Sequence, residues 1–474
     1  MDKKGRHLPE SEILAIAEAS MHKTLGDLGF ASYKPKPGNK GGVGAFVEEG
    51  VYGINQNSDP EPDFIDAGIE LKTTPVRQNQ DGTWSSKERL VLNMIDYVGE
   101  ASATFETSSF YHKNKRLLIW FYHHLIGKPT TDFEITAYEI YEFEHTLEYA
   151  IIKRDWEIIH KKILDGKAHE ISESDTTFLA ACTKGVGHGK TRSQPFSSIP
   201  AKSRAYSFKG GLMTRLYREL IHSLATTAPH LVSDDEWMKN PLEEIYKDRF
   251  KKFHGLSVAD LKLLFMYRRN PKDLTRRLVQ KMLGLAGNNM QTQEMEDAGI
   301  RFKTVRLNKK GRPHEGMSFP AFDFTELINV DWYDSEIREE FCEWKIMIAV
   351  FRDDDQDVCR FDKVLFWNVP NSLVDGPIKK MYEDAAQLML KGEAFEFDKK
   401  GKVIDKFPKE KRRGNGVCHI RPHGRKGVDT MKLPATDKTT GITEFVKLSF
   451  WFNKDYVEKI VKELELAETD SDVL

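Results

Sequence analysis

One octapeptide occurs twice in this chain of 474 residues. Residues 66–73 read Asp-Ala-Gly-Ile-Glu-Leu-Lys-Thr, and residues 297–304 read Asp-Ala-Gly-Ile-Arg-Phe-Lys-Thr, 231 positions later and with six of the eight positions identical. A repeat spaced by about half the chain constrains the fold, because each copy needs an equivalent place in a domain of its own. The chain is long enough for two such domains. The repeat therefore predicts a duplicated fold.

The segments around the octapeptide also recur in the same order. Each half has a segment of helical spacing before the octapeptide and a short apolar run after it, residues 117–122 in the first half and 346–351 in the second. Each half then ends on an aromatic run, residues 206–208 and 450–452, that leads into a helix. Short apolar, β-branched or aromatic runs are typical of buried strands. The sequence predicts two α/β domains, 1–232 and 233–474, and a frayed acidic C-terminus from residue 463.

The first copy carries residue types that suit phosphodiester hydrolysis. Glu70 and Lys72 lie two positions apart, so both face the same side of a strand, and Asp63 precedes Glu70 by seven residues. Carboxylates are the hard oxygen ligands that magnesium prefers. A lysine beside them can orient a water molecule or stabilise the negative charge of the transition state. The spacing predicts a magnesium-dependent hydrolytic centre, although a Glu-x-Lys pair by itself is also typical of an exposed strand edge.

The second copy lacks these residue types at the decisive positions. Arg301 stands where the glutamate is expected, and Glu294 stands where the aspartate is expected. A cationic side chain cannot ligate a metal ion. The second copy is therefore predicted to be catalytically inactive.

Composition places further bounds on the function. The net charge is −2, but residues 303–312 contain five basic residues and no acidic one, a local pattern that either binds phosphates or forms solvated surface. No apolar run approaches the roughly 20 residues needed to cross a bilayer, and the N-terminus has no apolar signal segment. Four scattered cysteines support neither a disulfide framework nor a zinc site. A cytoplasmic protein is expected.

The ordered motifs resemble those of a known family. The active-site segment is Glu61-Pro62-Asp63, followed by Ala67-Gly68-Ile69-Glu70-Leu71-Lys72-Thr73-Thr74-Pro75. The other matching segments are Lys40-Gly41-Gly42-Val43-Gly44 with Glu48, residues 85–93, Phe105-Glu106-Thr107-Ser108-Ser109-Phe110 with His112-Lys113, Cys182-Thr183-Lys184-Gly185 and Cys418-His419-Ile420-Arg421-Pro422-His423. The set resembles the MutH mismatch-repair nickases and, over nearly the whole chain, the two-domain Sau3AI-type restriction endonucleases.

This resemblance implies a fold, an activity and partners. The implied fold is two tandem restriction-endonuclease-like α/β domains. The second, with Arg301 in place of the glutamate, is expected to be an inactive duplicate, and its Arg421-Pro422 segment indicates that it still binds DNA. The implied activity is that of a type II site-specific deoxyribonuclease, which cleaves double-stranded DNA at GATC with Mg²⁺. The expected partner is double-stranded DNA. The two-fold symmetry of a palindromic site favours a dimer of the chain formed on DNA. A cognate methyltransferase is expected in the same system, not necessarily as a physical partner.

Residue roles follow the same resemblance, position by position. The loop around Lys184 departs from the Arg-Pro-Lys version of the nickases, to which Arg421-Pro422 is closer. The implied catalytic residues are Asp63, Glu70, Lys72, Glu48 and Lys113, with Asp63 and Glu70 as metal ligands, and the implied DNA-binding residues are Lys40, Lys184, Arg421 and His423.

Two alternatives remain open at this stage. A repair nickase needs one catalytic domain and an activating partner, and it explains the first half of the chain but not the second. A sequence-specific DNA-binding protein that no longer cleaves explains both halves but not the intact set of Asp63, Glu70 and Lys72.

Overall fold

The chain divides into two compact units, and an internal segment of the second half belongs to the first. The computed structural model describes residues 5–34, 42–55, 59–79, 82–144, 146–184, 190–222, 228–285, 291–411, 414–423 and 428–471, with the side chains of 470 and 471 left out. The first unit comprises Met1–Met238 with Gln293–Gly299, and the second comprises Lys239–Thr292 with Ile300–Leu474. The predicted junction after residue 232 lies close to this division, but the return of Gln293–Gly299 to the first unit was not predicted.

The first unit contains seven α-helices in its N-terminal part, one further short helix, and nine strands among its described residues. The helices are α1 (Glu10–Ser20), α2 (Gly42–Phe46), α3 (Tyr97–Glu100), α4 (Ser109–Asn114), α5 (Leu147–Leu164), α6 (Gly210–Leu220) and α7 (Asp234–Lys239), which runs across the unit boundary; α11 (Gln293–Asp297) is the further one. The strands are β1 (Glu70–Gln78), β2 (Trp84–Ser86), β3 (Leu90–Met94), β4 (Arg116–His123), β5 (Ile135–Glu142), β6 (Leu179–Thr183), β7 (Thr191–Gln194), β8 (Ser197–Lys202) and β9 (Arg204–Phe208).

Strand β4 is the centre of the main sheet of the first unit, whose order is β2-β1-β4-β5. Its residues 117–121 are all completely buried, as expected for a strand covered on both faces. Strand β1 pairs with β4 in parallel, with Glu70 opposite Leu117, and β5 pairs with β4 antiparallel. The remaining strands form the antiparallel sheet β3-β9-β6 and the hairpin β7-β8. The predicted apolar strand is confirmed, and it pairs with β1 over residues 70–76.

The second unit contains the remaining helices and strands. The helices are α8 (Leu242–Lys251), α9 (Val258–Leu264), α10 (Leu274–Met282), α12 (Phe324–Asn329), α13 (Glu336–Glu343), α14 (Asn371–Leu373), α15 (Lys379–Lys391) and α16 (Lys454–Ser471). The strands are β10 (Ile300–Leu307), β11 (Met317–Ala321), β12 (Lys345–Asp353), β13 (Cys359–Asn368), β14 (Phe395–Phe397), β15 (Val403–Asp405), β16 (Cys418–Pro422), β17 (Thr430–Lys432), β18 (Glu444–Val446) and β19 (Leu448–Phe452).

Strand pairing in the second unit follows the pattern of the first. Strand β10 pairs with β12 in parallel, with Arg301 opposite Ile346, and β13 pairs with β12 antiparallel. The sheet β11-β19-β16 is antiparallel, like β3-β9-β6. Its central strand leads directly into helix α16, as β9 leads into α6. The octapeptide copies therefore begin equivalent strands in two mixed α/β units.

Helix α16 corrects one expectation. A frayed C-terminus from residue 463 was predicted, but the helix continues to Ser471. Glu465 accepts a hydrogen bond from Arg352 at 2.7 Å, and the Glu468 carboxylate pairs with Lys247 and Lys363. The acidic residues of this segment therefore serve as partners for basic side chains of the second unit.

Two further observations concern the described helices and the cysteines. Among the described helices, none combines the length and the apolar character that crossing a bilayer requires. All four cysteines are free thiols.

Candidate active site

A tight loop sets the spacing between Asp63 and Glu70. Phe64 and Ile69 form an antiparallel bridge, with the Phe64 N–H donating to the Ile69 carbonyl at 2.9 Å and the reverse bond at 3.2 Å. The next residues outward on the two sides of this bridge are Asp63 and Glu70. Gly68 has φ +64°, which closes the loop in a conformation that glycine adopts without a steric penalty. The spacing of seven is therefore the spacing that places the two acids side by side.

Hydrogen bonds lock the two acids together at the start of β1. The Asp63 N–H donates to Glu70 Oε2 at 3.1 Å, and the Leu71 N–H donates to Asp63 Oδ2 at 3.1 Å. The alternation of the strand turns the Leu71 side chain to the core, where it is 2% exposed. Lys72 therefore lies on the same face as Glu70, and its Nζ donates to Glu70 Oε1 at 2.5 Å and to the Leu71 carbonyl at 3.2 Å.

Helix α4 brings a second lysine to the same carboxylate. Ser108 caps this helix by accepting a hydrogen bond from the Tyr111 N–H, and Lys113 lies in its last turn. The Lys113 Nζ is 3.7 Å from Glu70 Oε1 and donates to the Asp59 carbonyl at 2.9 Å. Two ammonium groups therefore face one buried carboxylate.

Glu48 approaches the site from a π-helical turn, residues Val47–Val51, which continues α2. Turns of this kind often occur at functional sites. The Glu48 carboxylate is near enough to Lys72 to raise the pKa of that lysine. The structure thus brings together all five residues predicted as catalytic; their roles stay predictions.

The electrostatics of the site favour charged lysine. Burial alone would lower the pKa of Lys72, but the nearby Glu70 and Asp63 carboxylates outweigh it, so the pKa is raised. Burial raises the pKa of the Glu70 carboxyl, against the opposing effect of Lys72. Three carboxylates and two ammonium groups therefore share a largely buried site, in which the negative charges outnumber the positive ones by one and so favour an added cation.

The donor atoms fit a hard divalent cation. Glu70 Oε1 and the Leu71 carbonyl are both held by the Lys72 ammonium, and the Asp63 carboxylate adjoins them. Carboxylate and carbonyl oxygens are the ligands that magnesium prefers. In the described part of the chain, no three His, Cys, Asp or Glu side chains cluster closely enough to hold a metal. A cation here would therefore rely on two carboxylates and a main-chain carbonyl, with water completing its coordination.

Of the four predicted DNA-binding residues, Lys184 belongs to the first unit, Arg421 and His423 belong to the second, and Lys40 lies outside the described residues. The loop 185–189 lies outside them as well. Lys184 follows β6, and its N–H donates to the Ser203 carbonyl at 2.8 Å. In the second unit, Arg421 is exposed at the end of β16, with its guanidinium 4.3 Å from the Trp451 ring, and His423 packs edge-on against the same ring.

The second octapeptide copy has a different local structure. Glu294 lies in helix α11 and is completely buried in the first unit, where its carboxylate accepts hydrogen bonds from the N–H groups of Leu231 and Val232 at 2.8 and 3.0 Å. Arg301 lies on β10 in the second unit and packs against the Trp344 ring at 5.2 Å. Glu294 therefore has structural hydrogen-bond partners in place of the metal-ligand role predicted for Asp63.

Two groups of the candidate site are main-chain carbonyl oxygens, which cannot be identified from the residue types in the sequence. The Leu71 carbonyl holds Lys72, and the Asp59 carbonyl holds Lys113. A strand prediction places the Leu71 carbonyl near Glu70, but no sequence signal identifies Asp59.

Comparisons with known proteins identify relatives of the whole chain and of the region that contains the candidate site. The family described as "DNA mismatch repair enzyme MutH" matches residues 52–155, which include β1 and α4. The type II restriction enzyme Sau3AI of Staphylococcus aureus is 35% identical over 451 residues, which cover 88% of this chain and 91% of that enzyme. The DNA mismatch repair proteins MutH of Salmonella paratyphi B and Salmonella newport are each 35% identical over 116 residues, 23% of this chain and 48% of theirs. This chain therefore belongs to the MutH-like family that includes Sau3AI.

Proposed function

We propose that this chain is a type II restriction endonuclease that hydrolyses double-stranded DNA at a short palindrome, GATC by resemblance to its family, with Mg²⁺ as cofactor. The observation that carries the proposal is the convergence of Asp63, Glu70, Lys72 and Lys113 on one buried site. The similarity to Sau3AI over 88% of the chain supports restriction rather than repair.

Each side chain of the site has its own role in hydrolysis. Asp63 and Glu70 would hold the cation, which when bound polarises the phosphate and lowers the pKa of a water molecule. Lys72, held protonated by the surrounding carboxylates, orients the attacking water and stabilises the charge that develops on phosphorus-bound oxygens. Lys113, in the last turn of α4, anchors a neighbouring phosphate. Glu48 acts through Lys72 by maintaining its charge.

The second unit is proposed to be an inactive duplicate that binds a second copy of the recognition site. Its strand pairing repeats that of the first unit, while Arg301 replaces the carboxylate at the Glu70 position. Loss of a carboxylate removes repulsion against phosphates. Binding there would favour the cleaving form of the enzyme through a coupling free energy between the two sites.

Assembly follows from the symmetry of the substrate. A palindrome has two scissile phosphates related by a two-fold axis, and each chain has one proposed centre. Two chains acting as a dimer on DNA would cut both strands. Cleavage of both strands should then depend on enzyme concentration more steeply than first order, whereas a strict first-order rate with a long-lived nicked circle would indicate one chain acting twice.

Incubation of the purified protein with plasmid and magnesium tests the proposal. Linear fragments with ends at one short sequence are expected. Nicked circles alone would support a MutH-like nickase, and intact but retarded plasmid would support a DNA-binding protein without cleavage.

The coupling between sites has its own test. A substrate with two sites should be cut faster than one with a single site, and a short duplex that bears the site should accelerate cleavage of the one-site substrate. Equal rates, with the duplex acting only as a competitor, would contradict the regulatory role of the second unit.

A further inference from the structure

Four acids occur in the eight residues 59–66, which we call the acidic segment and which carry the proposed metal ligand Asp63. The four are Asp59, Glu61, Asp63 and Asp66. Each carboxylate has the chemistry of a ligand for a divalent cation. Proline follows both Asp59 and Glu61, and it restricts the residue before it to extended backbone. Residue type alone therefore does not decide which of these acids faces Glu70.

Arg6 contacts the acidic segment at three points. Its Nη1 donates to Asp59 Oδ2 at 2.6 Å, and its Nη2 donates to the Pro62 carbonyl at 3.3 Å. Its own carbonyl accepts a hydrogen bond from the Ile65 N–H at 2.9 Å. The Arg6 side chain is largely buried, at 13% exposed, whereas Asp59 is half exposed. A planar guanidinium with donors in a fixed geometry therefore holds both ends of residues 59–62.

Histidines engage two further acids of the segment. His112 Nε2 lies 3.1 Å from Glu61 Oε2, and His7 Nδ1 lies 2.9 Å from Asp66 Oδ1. With the arginine contact, three of the four acids have a basic side chain as a hydrogen-bond partner. The fourth, Asp63, accepts a hydrogen bond from the main chain at the start of β1 instead. The basic partners thus distinguish the acid that belongs to the candidate metal site from its neighbours.

The turn Gly5–His7, which carries the arginine, is itself fixed in place. Gly5 is buried, and a Cβ added there would overlap the Tyr52 carbonyl oxygen, so this position requires glycine. Tyr52 directly follows the π-helical turn that contains Glu48. The turn Gly5–His7 therefore contacts both the chain that follows Glu48 and the segment that carries Asp63.

We propose that Arg6 is a positioning residue of the active site, which acts through the acidic segment. The proposal rests on the proposed metal-dependent cleavage, because it uses the roles given above to Asp63 and Lys113. The Asp63 N–H donates to Glu70 Oε2 at 3.1 Å, so a segment held in place keeps the two acids together. The Asp59 carbonyl accepts a hydrogen bond from Lys113 Nζ at 2.9 Å, so the same segment also places the phosphate anchor.

The test compares Arg6→Met with a matched control in the full chain. The control is Arg218→Met, since Arg218 also pairs with a carboxylate, that of Glu296 at 3.5 Å, and donates to a main-chain carbonyl, that of Trp84 at 2.6 Å. Its side chain is 19% exposed, close to the value for Arg6. Calorimetric titration of the DNA-free chain with Mn²⁺ follows the binding event that Glu70→Ala removes. Arg6→Met should weaken this event about tenfold, because groups that orient metal ligands contribute on this scale, and the control should not.

Cleavage should show the same difference as a changed magnesium requirement. Arg6→Met should raise the magnesium concentration for half-maximal single-turnover cleavage about tenfold. Saturating magnesium should recover most of the rate, since Glu70 and Lys72 are unchanged. Arg6→Lys should restore part of the metal affinity, because one ammonium can pair with Asp59 but lacks the planar arrangement of two donors. A general loss of folded protein would lower the amplitude of cleavage without changing its magnesium dependence.

Hydrogen exchange in the metal-free chain locates the effect. The N–H groups of Asp63, Ile65 and Leu71 each donate to an acceptor in or against the acidic segment. They should exchange faster in Arg6→Met, while the N–H groups of β4 keep their protection. Equal acceleration throughout the first unit would indicate a general loss of stability and would overturn the positioning role.

Asp59→Asn is a second variant for the case that Arg6→Met does not fold. It keeps the main-chain carbonyl that accepts from Lys113 and removes the ion pair, so it should weaken Mn²⁺ binding in the same direction and to a smaller extent. If each folded variant binds Mn²⁺ as Arg218→Met does, the positioning role is wrong. Mn²⁺ affinity that depends on the arginine in a chain that cuts no DNA would support the positioning role and contradict the proposed nuclease. The absence of any Mn²⁺ event that requires Glu70 would overturn both.

Discussion

Strands β1 and β10 each begin inside one copy of the octapeptide and pair with their neighbours in the same way. They differ in charge at one strand position, where β1 has the Glu70 carboxylate and β10 has the Arg301 guanidinium. In the first unit the preceding segment turns back through the Phe64–Ile69 bridge and places Asp63 beside Glu70. In the second copy the corresponding segment is helix α11, and Glu294 is directed at the main chain of Leu231 and Val232. The acids of the second copy therefore serve as structural residues, with partners in the first unit.

Local sequence explains why the two segments diverge. The first copy has Phe64-Ile65, an aromatic and a β-branched residue that favour extended backbone. The second copy has Met295-Glu296 at the same places, and both favour helix. The close approach of the two acids therefore depends on the backbone turn between them as much as on the acids themselves.

The largest expected effect is at Glu70, the proposed metal ligand. Glu70→Ala should reduce single-turnover cleavage by roughly 10³-fold or more, because a ligand and a water-activating charge are lost. Binding to duplex, measured by anisotropy, should change little, since phosphate contacts elsewhere supply most of the affinity. Arg301→Glu, at the same strand position of the second unit, should not create a second centre. Loss of binding in step with cleavage would make Glu70 a structural residue.

Lys72→Ala should reduce cleavage by about 10²-fold to 10³-fold, because the ammonium that orients water and stabilises charge is removed. The variant also leaves Glu70 without its partner at 2.5 Å, so metal affinity should be measured alongside the rate. Lys72→Arg keeps the charge and tests whether position matters. Wild-type rates for Lys72→Ala at saturating magnesium would contradict the assigned role.

Arg215 tests the claim that the acids of the second copy are structural. Its guanidinium is 3.2 Å from the buried Asp297 carboxylate and also pairs with Glu148. Arg215→Ala should lower the free energy of unfolding by about 3 kcal/mol, since it strands a buried carboxylate. Thermal unfolding measures this, and cleavage per folded molecule should be retained. Unchanged stability would indicate that the Asp297 pair contributes little to the anchoring of α11.

The smallest effect concerns the loop that sets the spacing. A Cβ added at Gly68 has no atom within 4 Å. Gly68→Ala should therefore lower the free energy of unfolding only through the backbone strain at φ +64°, by about 1 kcal/mol. The strained loop should shift Asp63 and raise the magnesium concentration needed for half-maximal cleavage severalfold. Gly401→Ala is a matched control, with φ +74° and equally open surroundings in the second unit. An equal effect of both on magnesium dependence would show that loop geometry is not the determinant.

The sequence predicted the strands well because their signals are local. The apolar runs at 117–122 and 346–351 lie within β4 and β12, and the alternation around Leu71 sets the facing of Glu70 and Lys72. The parallel pairing of β1 with β4 and the approach of Lys113 depend on contacts distant in sequence, and only family resemblance supplied Lys113. The return of Gln293–Gly299 to the first unit could not be read from the chain, since the buried partner Arg215 has no local signal.

Oxidative cleavage mapping tests most directly the claim that one unit of the chain holds the metal. Fe²⁺ would replace magnesium, and ascorbate with peroxide would generate radicals that cut the main chain beside the bound ion. Fragment masses should place the cuts near Asp63 and residues 70–71, with none between residues 294 and 303, and Glu70→Ala should abolish them. Cuts of comparable yield between residues 294 and 303 would contradict the account, because they would show a second metal centre where Arg301 replaces the carboxylate.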